Sequence, residues 1–131
     1  SSDLIKMLLQ IAPTDRTPAI DIQANPLKLT IKGESFPEDV AAFYGQVINT
    51  VNALTTTASG PLNVEMAMVY INSSSIKAFY RIFEGIEAYR KAGHEVHVAW
   101  KAEEDDDIMQ ELGEDFKDRF QDLNFSIIQH G

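Results

Sequence analysis

The segment Leu62–Ile71 limits how this chain folds more than any other. It opens with alternation, Leu62, Val64 and Met66 against Asn63 and Glu65, and then turns apolar on both sides from Ala67 to Ile71. Ser59-Gly60-Pro61 precedes it and Asn72-Ser73-Ser74-Ser75 follows, so it reads as a strand bounded by loop residues. Its doubly apolar second half predicts a central strand covered on both faces. Directly after the serines, Ile76, Phe79, Phe83 and Ile86 recur at helical spacing, and Gly93 marks the stop. A strand that passes straight into a helix has to return to the sheet by a crossover, parallel to its partner.

The rest of the chain extends that unit. Ala19–Gln23 and Leu27–Lys32 alternate, with Ile20, Ile22, Leu27, Leu29 and Ile31 on one face and Ala24-Asn25-Pro26 as the turn. They predict an antiparallel hairpin with one solvated side. Ser35-Phe36-Pro37-Glu38 has the capping-box form, and Val40, Phe43, Tyr44, Val47, Ile48, Val51 and Leu54 supply the helical stripe after it. Glu95–Lys101 is the next strand, with Val96, Val98 and Trp100 sharing a face. A helix from about Asp106 to Phe120 buries Met109, Leu112, Phe116 and Phe120, and Asn124–Gln129 is the final strand. The expected fold is α/β: one domain, 1–131, whose mixed sheet has an N-terminal antiparallel hairpin followed by parallel β-α-β units. Residues 1–18 stay open between a weak helix from Asp3 to Ile11 and a short strand at Leu9–Ile11 ending at Pro13.

Composition removes several functions. The absence of cysteine excludes disulfides, thiol catalysis and cysteine-ligated zinc. Twenty acidic against 11 basic residues give a net charge of −9, which argues against nucleic acid and anionic membranes as partners. The longest apolar runs are too short to span a bilayer, and no signal-peptide pattern opens the sequence, so a cytoplasmic location is expected. Gly33 and Gly60 are isolated, which leaves no glycine-rich phosphate cradle.

Three groups of side chains invite a chemical role. The acidic run Glu103-Glu104-Asp105-Asp106-Asp107 lacks the alternating ligands, turn glycine and distant glutamate of a calcium loop, and acids at a helix start are favoured by the dipole alone. His94 and His97 fall in a predicted strand three residues apart, hence on opposite faces, and are read as surface or edge residues that make poor joint ligands. Trp100 is read as a core or edge aromatic. The serines are the third group. A hydroxyl at a helix N-terminus lies among unpaired backbone N–H groups, where added phosphate is tolerated and changes the surface charge sharply. One serine acting as a simple N-cap explains the same residues.

Four blocks, in order, resemble the SiaC family of bacterial regulatory phosphoproteins. They are Leu9-Gln10-Ile11 with Thr14 and Thr17-Pro18-Ala19-Ile20; Gly33-Glu34-Ser35-Phe36-Pro37-Glu38 continuing to Phe43-Tyr44-Gly45-Gln46-Val47-Ile48; Tyr70-Ile71-Asn72-Ser73-Ser74-Ser75-Ile76-Lys77; and Val98-Ala99-Trp100 through the acidic stretch to Gly113-Glu114-Asp115. A looser likeness links the strand–serine–helix unit to STAS-type anti-sigma-factor antagonists. The resemblance implies a non-enzymatic protein with no cofactor or metal, acting in partner switching. It implies phosphorylation by a dedicated serine/threonine kinase, removal of the phosphate by a PP2C-type phosphatase, and an unphosphorylated form that activates a diguanylate cyclase, raising cyclic di-GMP and favouring biofilm growth. The family's acceptor follows asparagine in an Asn-Thr-Ser-Ser-x-Lys block, which is Ser73 here, with Ser74 and Ser75 as fallbacks. Asn72, Ser73, Ser74, Ser75 and Lys77 then form the switch surface. Asp39 stands where the family usually has asparagine, and Ala102 replaces a common aromatic; both changes are expected to affect partner affinity rather than fold. The competing expectations are a constitutive scaffold, indifferent to Ser73, and a small metal-dependent enzyme built on residues 103–107.

Overall fold

The computed structural model describes residues 4–131, so Asp3, the first residue of the candidate opening helix, lies outside it. The elements run β1 (Lys6–Ile11), β2 (Ala19–Ala24), β3 (Leu27–Ser35), α1 (Val40–Thr57), β4 (Leu62–Ile71), α2 (Ser73–Lys91), β5 (Val96–Glu103), α3 (Asp107–Arg119) and β6 (Asn124–His130). Strands lie in the sheet in chain order, β1 to β6. The first three are antiparallel, and β3 through β6 are parallel. The expected mixed α/β domain is therefore present.

One expectation about that sheet fails. A sheet built strictly in chain order by right-handed crossovers advances in one direction, which puts every helix on the same face. Leu29, Val64, Val98 and Phe125 lie under the helices, whereas Thr30, Glu65, Ala99 and Ser126 face the other way. So β4 is central but covered on one side only. Its doubly apolar second half has a different cause. The β3–β4 register shifts between Gly33 and Glu34, so that Gly33 pairs with Met68 and Glu34 with Tyr70, leaving Val69 as the extra residue. Val69 and Tyr70 are both exposed, and Met68 and Ile71 both point inward.

The opening segment is a strand, longer than the short alternative considered. Its register against β2 also shifts, between Met7 and Leu9, which spoils the alternation that would have identified it. The capping box fails too. Ser35 is the last residue of β3, and the α1 cap is Asp39, whose carboxylate accepts from the Ala42 N–H at 3.0 Å. Phe36 precedes Pro37 and is thereby biased to extended backbone, which delays the helix.

Aromatic rings fill the layer between helices and sheet. Phe79 meets Tyr44, Trp100 and Phe116 at centroid distances of 5.6, 6.3 and 6.2 Å. Trp100 is fully buried, and its Nε1 donates to the Met109 carbonyl at 2.8 Å. This places β5 tightly under α3, where Gly113 faces the indole and has no room for a Cβ. Gly113→Ala gains up to about 1 kcal/mol of helix propensity but overpacks a rigid indole at a cost of about 1–3 kcal/mol. A net fall in thermal midpoint is expected.

On the open face, Glu65 is held by Lys32 at 2.9 Å and by Lys101 at 3.3 Å. The Lys32 hydrogen bond, opposed by partial burial and aided by Lys101, pulls its carboxyl below the ordinary range. A depressed folded pKa gives stability that is present above the unfolded value and lost as pH falls through the folded one. Glu65→Gln is expected to cost about 0.5 kcal/mol near neutrality, and the difference from wild type should shrink in denaturant titrations as pH falls below the ordinary glutamate range.

Candidate functional site

β3 and β4 end side by side, with Ser35 paired to Ile71. The bulge at Val69 turns Ile71 into the core, so Asn72 emerges against the end of β3, where its N–H donates to the Ser35 carbonyl at 2.9 Å. Asn72 keeps extended backbone, φ −76° and ψ 165°, and its side-chain oxygen accepts from the Ser75 N–H at 2.9 Å. Asn72 is therefore the N-cap of α2, and the reading of a serine as the cap is corrected. An asparagine side chain reaches the third N–H beyond it and spares the hydroxyls that duty. The N–H groups of Ser73 and Ser74 remain at the helix tip with no intrahelical acceptor.

The three serines have separate fates. Ser73 and Ser74 are exposed, and Ser75 is fully buried. Ser35 Oγ donates to Ser75 Oγ at 2.9 Å, which commits its single proton. The Tyr44 hydroxyl, in short contact with the same Ser35 oxygen, therefore donates to it. Burial pushes the Tyr44 phenol up to about 12, against the smaller opposing effect of its Ser35 hydrogen bond, so the donor stays protonated at every physiological pH. A chain of hydroxyls thus joins β3, α1 and α2 beneath the exposed serines. Ser75 also belongs to the helix face of Ala78, Phe79 and Ile82, a periodicity that places it inward.

Around this head, Phe36 packs edge-on to Tyr70 at 5.9 Å, and Arg16 pairs with Glu38 at 2.7 Å. Lys77, one turn beyond Ser73, is exposed and makes no ion pair among the described residues. Of the residues expected to form the switch surface, Ser73, Ser74 and Lys77 are exposed, Asn72 is half-buried as the cap, and Ser75 is buried.

The remaining candidates are dispersed. Glu103 ends β5, the Glu104 N–H donates to the His130 carbonyl at 2.7 Å, and Asp106 caps α3 by accepting from the Met109 N–H at 3.0 Å. Among the described residues, no three His, Asp or Glu side chains converge as a metal site. His94 precedes β5 rather than lying in it and stacks on Tyr89 at 4.2 Å, while His97 lies on the open face against Asn124 at 2.8 Å. Ala102, expected to matter for partners, is buried, so the loss of an aromatic there is a packing change.

The buried and exposed serines should separate by stability. Ser75→Ala breaks the hydroxyl chain and is expected to cost about 1–2 kcal/mol, whereas Ser73→Ala should stay within about 0.5 kcal/mol of wild type in urea unfolding.

Among the described residues, no helix is long and apolar enough to cross a membrane. Comparison with known proteins agrees with the reading of the four blocks. A model of the SiaC family of regulatory phosphoproteins matches residues 11–130. An uncharacterized protein of Pseudomonas aeruginosa (strain UCBPP-PA14) is 32% identical over 110 residues, which is 84% of this chain and 87% of that protein. A chain in the crystal structure of the P. aeruginosa diguanylate cyclase SiaD in complex with its activator SiaC superposes with a TM-score of 0.87 at 31% identity, covering 93% of this chain and 99% of that one. Apo-SiaC from the same organism gives a TM-score of 0.77 at 30% identity, covering 94% and 98%. With a family match over nearly its whole length, this chain belongs to the SiaC family of regulatory phosphoproteins.

Proposed function

We propose that this chain is a non-enzymatic switch protein. Reversible phosphorylation of Ser73 controls its binding to protein partners, and the unphosphorylated form activates a diguanylate cyclase. The observation that carries the reading is the exposed Ser73 hydroxyl in the first turn of α2, capped by Asn72 and resting on a buried hydroxyl chain. A kinase can reach Ser73 without opening the fold, and free N–H groups at the helix tip can hold the product phosphate. Ser74 is also exposed and is the remaining fallback, while Ser75 would require the helix to unwind. The P. aeruginosa complex pairs SiaC as activator with SiaD, and the same output class is proposed here. A dedicated serine/threonine kinase and a PP2C-type phosphatase complete the circuit.

The mechanism is electrostatic. Phosphate adds nearly two negative charges and three strong acceptors to a surface the partner must desolvate. A penalty of about 3 kcal/mol there lowers affinity by about two orders of magnitude. The fold need not move for the partner to leave.

Peptide mapping of protein isolated from its native cells is expected to find a single phosphate on Ser73. In binding titrations against the cyclase, Ser73→Asp should bind at least about tenfold more weakly than Ser73→Ala. Equal binding of the two variants rejects the switch.

A further inference from the structure

α1 and α2 both start at the carboxyl ends of the parallel strands and run side by side, leaving a groove between them. Its α1 wall is Ala41, Gly45 and Ile48, at i, i+4 and i+7; its α2 rim is Ser74, Lys77 and Arg81, at i, i+3 and i+7. The two walls differ in kind. The α1 side is apolar and cut low at Gly45, where an added Cβ would meet no atom within 4 Å. That glycine leaves open space rather than relieving a close contact within this chain. The α2 side carries two exposed cations one turn apart, and neither makes an ion pair among the described residues. Like charges at i and i+4 weaken a helix slightly. In a chain of net charge −9, with 20 carboxylates against 11 basic side chains, this groove is lined by two cations and by no Asp or Glu.

We propose that this groove docks an amphipathic helix of the partner protein. Its apolar residues pack on Ala41, Gly45 and Ile48, and a pair of Asp or Glu side chains one turn apart faces Lys77 and Arg81. The inference rests on the reading that the chain acts by binding a protein partner, and it specifies that partner's chemistry. A trough between parallel helices takes a third helix by ridge-into-groove packing, and a low wall at Gly45 brings the two axes close. Seven residues of groove correspond to about 10 Å, or two turns of the incoming helix. The carboxylates follow from charge complementarity.

The same geometry says why phosphate would release the partner. Ser74 stands at the groove mouth, and Ser73 shares the helix face of Lys77, one turn away. A dianion on Ser73 draws the lysine to itself and confronts the incoming carboxylates with like charge. Occupant and phosphate then compete for one cation.

The test uses two variants of the full chain and full-length P. aeruginosa SiaD as the probe, with affinity read by calorimetry and folding checked by thermal melts. Gly45→Met fills the groove from a position with room and a better helix former; Arg81→Glu reverses half the rim. Each is expected to weaken binding at least about tenfold relative to wild type. Hydrogen exchange should protect a helix in the cyclase, and a Lys substitution for its acidic residue should restore the affinity lost in Arg81→Glu. Unchanged affinity in both variants, with Ser73→Asp still impaired, overturns the groove and leaves the switch standing. Loss confined to one variant rejects an occupant that is both apolar and acidic. Wild-type chain that fails to bind SiaD overturns the cyclase as output and this proposal with it. A dimer of this chain that Gly45→Met dissociates overturns it in favour of a second copy.

Discussion

Three buried hydroxyls hold together the end of this protein at which α1 and α2 begin. Tyr44 on α1, Ser35 at the end of β3 and Ser75 in the first turn of α2 pass hydrogen bonds along a line that water does not reach. Their number matters as much as their presence. A buried hydroxyl without a partner costs about 1–3 kcal/mol, so each of the three elements is bound to the position of the other two. The Asn72 N–H bond to the Ser35 carbonyl adds a fourth tie at the same place. The exposed serines above therefore sit on a base that resists local rearrangement, as the proposed charge switch requires.

The sheet order supplies the rest of the setting. Because strands follow one another in chain order, the helices are neighbours on one side, and the α1 and α2 heads fall next to each other. Ligand surfaces of parallel sheets gather at the carboxyl ends of strands, and here those ends carry Ser35, Ile71 and Glu103. The other side of the sheet is occupied by the Lys32–Glu65–Lys101 cluster and by Asn124, Ser126 and His97, groups at ease in water.

Much of this was legible in the residues, and the failures have physical causes. Period-two and period-3.6 patterns located β4 at Leu62–Ile71 and found the hairpin, the three helices and the inward set Met109, Leu112 and Phe116 of α3 with its C-cap Phe120. Two β-bulges defeated the same reasoning. One hid β1, and the other made Val69 and Tyr70 resemble core residues and suggested a second covering layer. Ser35 had the sequence form of a cap because serine, proline and glutamate stood at the right offsets, yet its hydroxyl partners are nine and forty residues away. No local pattern reports such a contact. Ser75 differs: its spacing to Ala78, Phe79 and Ile82 is a local signal of the buried face that the reading of the residues did not use when it set Ser75 among the fallback acceptors. Resemblance pointed to Ser73 and its neighbours, and geometry then divided them.

The three helix heads also differ in what caps them. α1 begins on Asp39 and α3 on Asp106 with Asp107 behind it, so each of those dipoles meets a carboxylate at its positive end. α2 begins on the neutral Asn72 and has no acid in its first turn. In a chain so rich in carboxylates, its positive end, about half a charge, is the one the protein itself leaves unmatched. An aspartate at position 72 would cap the helix just as well and would permanently occupy the electrostatic vacancy. The amide holds the backbone in place and leaves that half charge unmatched among the described residues, where the proposed Ser73 phosphate would meet it.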